Sequence, residues 1–236
     1  YHLRRGRCGA GGPADRHALV TDAPRYPVTL PIARPSLPPL EEYVGLLREV
    51  WQTRMLSNFG PMARRFEASV QAQTGNPLCR AVASADVGLV LALAALQLPE
   101  GGECLLPSYT FNSTINAVLW NRLTPVFVDV DPRTLNLDPA DAARRLGERT
   151  VALVVTHVFG CPADLPALGA LASSRGIPLV ADAAHAFGAR LGDRAIGDAS
   201  LGAIQVFSFS GTKAVTSAEG GIVACATPEQ IGRAHV

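Results

Sequence analysis

Short, continuously apolar runs alternate with helical stretches from residue 81 to residue 226, and this alternation constrains the fold more than any other feature. The runs fall at 81–84, 103–106, 125–130, 151–156, 177–181, 204–209 and 222–226; helical patterns fill 87–98, 112–120, 140–146 and 163–174, the last closed by Gly176. A run such as VALVVT at 151–156 has no polar face, so as a strand it must be covered on both sides. Strands of this kind separated by helices pair in parallel. The expectation is an α/β fold, a three-layer α/β/α sandwich around a mostly parallel central sheet. Ligands of such sheets sit beyond the carboxyl ends of the strands, so the polar residues just past each run are the ones to examine.

Upstream, 40–55 and 62–73 read as amphipathic helices, the second entered through Asn58-Phe59-Gly60-Pro61 with proline near its start. Residues 1–35, rich in Gly, Pro and Arg and without hydrophobic period, read as a flexible arm. The net charge of +1 provides no field to gather nucleic acid or an acidic membrane. No apolar stretch approaches the roughly 20 residues of a membrane span. The five cysteines are scattered without zinc-ligand or redox spacing and read as small structural hydrophobes, which makes a reducing cytoplasm the default. No metal site is expected.

Of 21 Lys and Arg, only Lys213 is lysine. A chain that otherwise meets its need for positive charge with arginine keeps here the one side chain that can lose a proton and form an imine. A surface lysine left by chance is the alternative, and its neighbours count against that. Lys213 closes Ser208-Phe209-Ser210-Gly211-Thr212-Lys213 at the end of the 204–209 run. Hydroxyls and backbone N–H groups in a glycine-containing turn can take a phosphate. Ser217-Ala218-Glu219-Gly220-Gly221 then reads as a tight turn into an edge strand. Asp182 follows the 177–181 run directly, with His185 three residues on. A carboxylate there suits pyridoxal phosphate, whose ring must stay protonated to act as an electron sink; a helix N-cap is the other reading. Ser84-Ala85-Asp86 opens the 87–98 helix, whose free N–H groups suit an anion. His157, after the 151–156 run, either lines the pocket or serves the structure.

Six stretches, in order, resemble the DegT/StrS-type sugar-nucleotide aminotransferases: NFGPMARRFE (58–67), PSYTFNSTINAV (107–118), PVFVDVDPRTLNLDP (125–139), THVFG (156–160), ADAAHAFGA (181–189) and FSFSGTKAVTSAEGG (207–221). The resemblance covers about residues 36–228. It implies a fold-type-I pyridoxal-phosphate large domain over 36–228, with most of a small C-terminal domain missing. It further implies that Lys213 bonds to the cofactor aldehyde and shuttles a proton, and that Asp182 pairs with the ring nitrogen. His185 lies near the ring oxygen, Phe111 stacks on the ring, and Ser208 holds the phosphate. Ala85 and Asp86 fall where many members have Gly-Thr at the phosphate. That is a departure, since a carboxylate would repel the anion, and Asp86 is expected to turn away and cap the helix. Ser210-Gly211 also replaces the usual His-Pro.

The implied reaction is transfer of an amino group from an amino acid, glutamate in this family, to a nucleotide-linked keto-sugar by a homodimer whose active site takes groups from both subunits. Related deoxysugar dehydratases carry His in place of the lysine, so Lys213 opposes that alternative; aldol cleavage fits the lysine but not the six stretches. A non-catalytic or inactive truncated relative is the alternative from another class. The final residues 231–236 depart from the family and match what a common sequencing-adapter stretch would encode. Residues 229–236 are therefore expected to be a non-native or disordered tail.

Overall fold

The computed structural model describes residues 33–57 and 59–233, and the architecture below belongs to the unit that begins at Arg34. The arm expected over residues 1–35 lies outside the described residues except for its last three. In chain order the elements are α1 (Leu40–Thr53), α2 (Pro61–Thr74), β1 (Cys79–Val82), α3 (Ala85–Ala95), β2 (Glu103–Pro107), α4 (Asn112–Trp120), β3 (Thr124–Val128), α5 (Pro139–Arg145), β4 (Thr150–Thr156), α6 (Leu165–Ser174), β5 (Leu179–Asp182), β6 (Arg190–Leu191), β7 (Arg194–Ala195), β8 (Ile204–Ser208), β9 (Gly221–Ala224) and α7 (Pro228–Arg233). Helix α7 occupies the start of the segment that reads as a tail from the sequence.

Seven strands form one sheet in the order β1-β9-β8-β5-β4-β2-β3. The five from β8 to β3 are parallel, as their continuous apolar character predicts. Strand β9 is antiparallel to both neighbours. One expectation is corrected: β9 is not an edge strand. It lies between β8 and β1, and all four of its residues are buried. A tight turn fixes only that the chain returns beside β8, whereas the pairing on the far side comes from a strand more than a hundred residues earlier. The β6–β7 hairpin, two residues per strand, is too short to show a period in sequence.

Helices cover both faces. Leu89 and Leu93 of α3 and Val118 of α4 pack with Leu106, Val154 and Val206. On the other face Val70 of α2, Ala142 of α5 and Leu165 and Leu168 of α6 pack with Leu153, Val155 and Phe207. Burying each such Val, Leu or Phe side chain contributes about 1.5–3 kcal/mol. Cys79, Cys104 and Cys225 are free and buried within this core; burial pushes the Cys104 thiol up to about 12 and the other two to about 11. These three behave as the small hydrophobes the sequence suggests, whereas Cys161 is exposed and departs from that reading, and Cys8 lies outside the described residues.

Two glycines set how closely α3 approaches the sheet. A Cβ on Gly88 would lie 2.7 Å from Cγ1 of Val206, and one on Gly221 would lie 2.7 Å from the backbone carbon of Ser84. Any larger residue at either position pushes the start of α3 away from the ends of β8 and β9. Ser84 closes that start: its hydroxyl accepts from Val87 N–H at 3.2 Å. Helix α1, by contrast, contributes no buried residue; Leu40 and Trp51 are 70% and 76% exposed. It meets α2 through an ion pair between Glu49 and Arg65 at 2.8 Å.

Candidate active site

The carboxyl ends of β4, β5 and β8, the loop after β2 and the start of α3 surround a cavity of about 610 Å³. Every residue singled out from sequence as a site residue lines it: Lys213, Asp182, His185, Ser208, Phe111, Ala85 and Asp86. His157 lines it as well. Another cavity, about 280 Å³ between α6 and the segment around Arg194, holds no comparable group of titratable side chains.

Asp182 is the last residue of β5 and only 4% exposed. Parallel pairing on both sides fixes its backbone, since Thr156 and Val206 are its partners in β4 and β8. Thr114 in α4 donates to its Oδ2 at 2.7 Å, and the backbone N–H of Ala184 donates to Oδ1 at 3.0 Å. Burial raises the carboxyl pKa above the ordinary value; those two hydrogen bonds, His185 and Lys213 oppose the rise. No α-helix or 3-10 helix begins at Asp182, so the N-cap reading does not apply: the next described helical residues are at 199–201.

Lys213 stands on the loop between β8 and β9. The loop is pinned at its base, where Phe209 N–H donates to Gly220 O and Ser217 N–H to Phe209 O, both at 2.9 Å. The Lys213 N–H donates to Ser210 O at 3.0 Å. Its side chain borders both the main cavity and an adjoining one of about 250 Å³. Ser208, Ser210 and Thr212 stand beside it and add hydroxyls to the wall.

An aromatic row also lines the cavity. Phe159 stacks on His185 with ring centres 6.0 Å apart and planes 12° from parallel, and Tyr109 meets Phe159 edge-on at 6.4 Å. Phe111, just before α4, presents its ring with 69% exposure. Partial burial, and then Lys213, lower the pKa of His185, which favours a neutral imidazole there.

At the start of α3, Asp86 departs from the sequence expectation. It does not cap the helix, because Ser84 does. Its Oδ1 instead accepts from the Ser113 hydroxyl at 2.7 Å, which holds the carboxylate on the cavity wall. The cause is local: Ser84 already occupies the N-cap position, and Asp86 lies inside the first turn, facing α4. His157 resolves into both of its readings. Its Nδ1 accepts from Ala163 N–H at 2.9 Å, fixing the turn after β4, while the ring also borders the cavity. Nε2 lies beside Gln205 without a hydrogen bond of good geometry. Burial lowers the His157 pKa to about 4.

Sequence reading missed Thr110, Thr114, Thr156, Ser113 and Glu219. Thr156 was open to detection, being a polar residue ending a parallel strand. Thr114 has a subtler signal, a threonine on the buried side of a short helix. Nothing in the sequence marks Ser113 as a partner of Asp86.

The sheet order, the helices on both faces and the cavity at the strand ends are those of the large domain of fold-type-I pyridoxal-phosphate transferases. Residues 40–236 match the DegT/DnrJ/EryC1/StrS aminotransferase family, and the chain belongs to it. Among similar solved structures, DesI, studied in the presence of its TDP-sugar product, is 38% identical with a TM-score of 0.80; the match covers 85% of this chain and 50% of that one. The aminotransferase TlmJ from Streptoalloteichus hindustanus is 35% identical with a TM-score of 0.80, covering 88% and 56%. NtdA from Bacillus subtilis, with bound cofactor PMP, is 25% identical with a TM-score of 0.74, covering 83% and 43%. The chain thus spans about half the length of these relatives.

Proposed function

We propose that this cavity binds pyridoxal phosphate and that the whole protein transfers an amino group from an amino acid, glutamate by family resemblance, to a keto-sugar carried on a nucleotide. The observation that carries the reading is that the chain's only lysine and its almost fully buried Asp182 border one cavity. The residues fit the cofactor. Desolvation raises the pKa of this buried carboxylate although Lys213 opposes the rise, and a protonated ring nitrogen in the cavity would add a directly bonded cationic partner. The Ser84, Ser208 and Ser210 hydroxyls and the first N–H groups of α3 offer donors to a phosphate, with Asp86 as the opposing charge.

When bound, the cofactor supplies a cationic ring that accepts the electron pair released at the amino acid's α-carbon. Asp182 keeps that ring protonated. Lys213 would hold the cofactor through its side-chain amine and would move a proton at the substrate carbon. The net exchange would turn the amino acid into its keto acid and the sugar carbonyl into an amine. Neutral His185 and the rings of Phe111, Phe159 and Tyr109 position and shield the flat cofactor and substrate. The family resemblance also supports a homodimer in the cytoplasm with a pocket completed by the second subunit, and the large exposed side chains of Trp51 and Trp120 are consistent with surfaces covered in an assembly.

The test has two parts. The 236-residue chain mixed with pyridoxal phosphate should develop the absorbance of an amine-linked cofactor, and Lys213→Ala should not. The full-length protein should convert glutamate to its keto acid only when a nucleotide-linked keto-sugar is present. Absence of both signals rejects the proposal.

A further inference from the structure

Three threonine hydroxyls from three different elements converge on Asp182. Thr114 Oγ1, in the first turn of α4, donates to Asp182 Oδ2 at 2.7 Å. Thr110 Oγ1, in the loop after β2, is 2.8 Å from Thr114 Oγ1, and Thr156 Oγ1, at the end of β4, is 2.8 Å from Thr110 Oγ1. A hydroxyl has a single hydrogen. Thr114 spends its own on the carboxylate, so Thr110 is the donor to Thr114. Thr110 has then spent its own, so Thr156 is the donor to Thr110. The chain has one direction: Thr156 to Thr110 to Thr114 to Asp182.

We propose that Thr110 and Thr156 are positioning residues that act through Thr114 to aim the Asp182 carboxylate and hold it ionised. Each donor in such a chain polarises the next, so the last bond to Oδ2 is stronger than an isolated hydroxyl contact. A proton on the carboxyl would remove the negative charge that Thr114 Oγ1 donates to and so weaken the whole chain. Ala184 N–H occupies one lone pair of Oδ1 and leaves another for a donor in the cavity. The charged or titratable groups that face Asp182 are Lys213, from the loop after β8, and His185, on its own turn. Both favour ionisation but sit toward the open side. Buried Thr114 meets the carboxylate from the protein side, where burial works against the charge, and Thr110 and Thr156 at the cavity wall back it. The use of this carboxylate rests on the cofactor reading above; the chain itself does not.

The experiment titrates the Asp182 carboxyl in the cofactor-free 236-residue protein, by its infrared carboxyl band taken as a difference against Asp182→Asn. Thr110→Val, close in shape but without a hydroxyl, should raise the midpoint by roughly half to one pH unit, the equivalent of one ordinary hydrogen bond. Thr110→Ser should restore it, and Thr156→Val should shift it in the same direction by less. If Thr110→Val does not fold, the Thr156→Val and Thr156→Ser pair carries the same comparison. Equal midpoints for Val and Ser variants, or no shift in either, overturn the proposal. Since no cofactor is present, that result leaves pyridoxal phosphate binding untouched. A shifted midpoint in a protein that takes up no cofactor would instead reject only the cofactor reading.

Discussion

At one end of the cavity Asp182 is buried at the tip of β5 with both oxygens engaged, by Thr114 and by the Ala184 backbone. At the other end Asp86 is exposed in the first turn of α3 and meets one hydroxyl, that of Ser113. Both are carboxylates on one wall system, yet water screens only the second. A buried charge must be partnered on every side or it unfolds its surroundings; an exposed one is free to vary at small cost. The contrast assigns the two ends different work. On the proposed reading, the Asp182 end would fix which chemistry is possible, and the Asp86 end would tune how tightly an anion is held.

Removing Lys213 should break the first end most severely. Lys213→Ala is expected to lower amino transfer by the full-length protein on the order of 10²–10⁴-fold or more, read as keto acid released from glutamate. Asp182→Asn should come next, weakening cofactor binding about 10- to 100-fold, the worth of a charged hydrogen bond, in an absorbance titration. The same variant has an opposite effect on the free protein. Burial raises the folded pKa of Asp182 above its unfolded value, so the group's stability contribution is present below the unfolded pKa and lost as pH rises through the folded one. At neutral pH, Asp182→Asn without cofactor should therefore melt higher than the parent, by differential scanning fluorimetry.

The other end should respond in the reverse sense and less. Asp86→Thr removes the charge that opposes a phosphate. It should tighten pyridoxal phosphate roughly fivefold, as expected for about 1 kcal/mol of screened repulsion, and leave unphosphorylated pyridoxal unchanged. An equal change for both ligands would show that Asp86 does not face the phosphate. The smallest effect tests the support behind the site. His157 is depressed to about 4 in the fold from an ordinary 6.5, so its contribution is whole above about pH 6.5 and is lost as pH falls toward 4. Stability there should decline with a slope of up to about 1.4 kcal/mol per pH unit, and His157→Gln should flatten that slope in chemical denaturation.

Sequence made the frame legible because its cause is local and repetitive: a strand covered on both faces must be apolar at each position, and 151–156 shows this directly. Asp182 and Lys213 were legible because they interrupt that pattern at strand ends and carry chemistry their neighbours lack. The interior place of β9 was not, because its second partner, β1, is remote in the chain. The threonine chain was hidden for another reason. Thr156, Thr110 and Thr114 are each ordinary in a strand, a loop and a helix, and only the fold brings the Thr110 hydroxyl to 2.8 Å from each of the other two. The role of Asp86 depended on a neighbour, Ser113, that no spacing rule connects to it.

The account depends on an amine and a carboxylate sharing one flat cofactor. Borohydride reduction of the protein with pyridoxal phosphate, followed by peptide mass mapping, tests this most directly, since Lys213 is the only lysine. A permanent pyridoxyl label on the peptide containing Lys213, much reduced in Asp182→Asn at limiting cofactor, is the predicted result. No label, or label confined to the N-terminal amine, would contradict it.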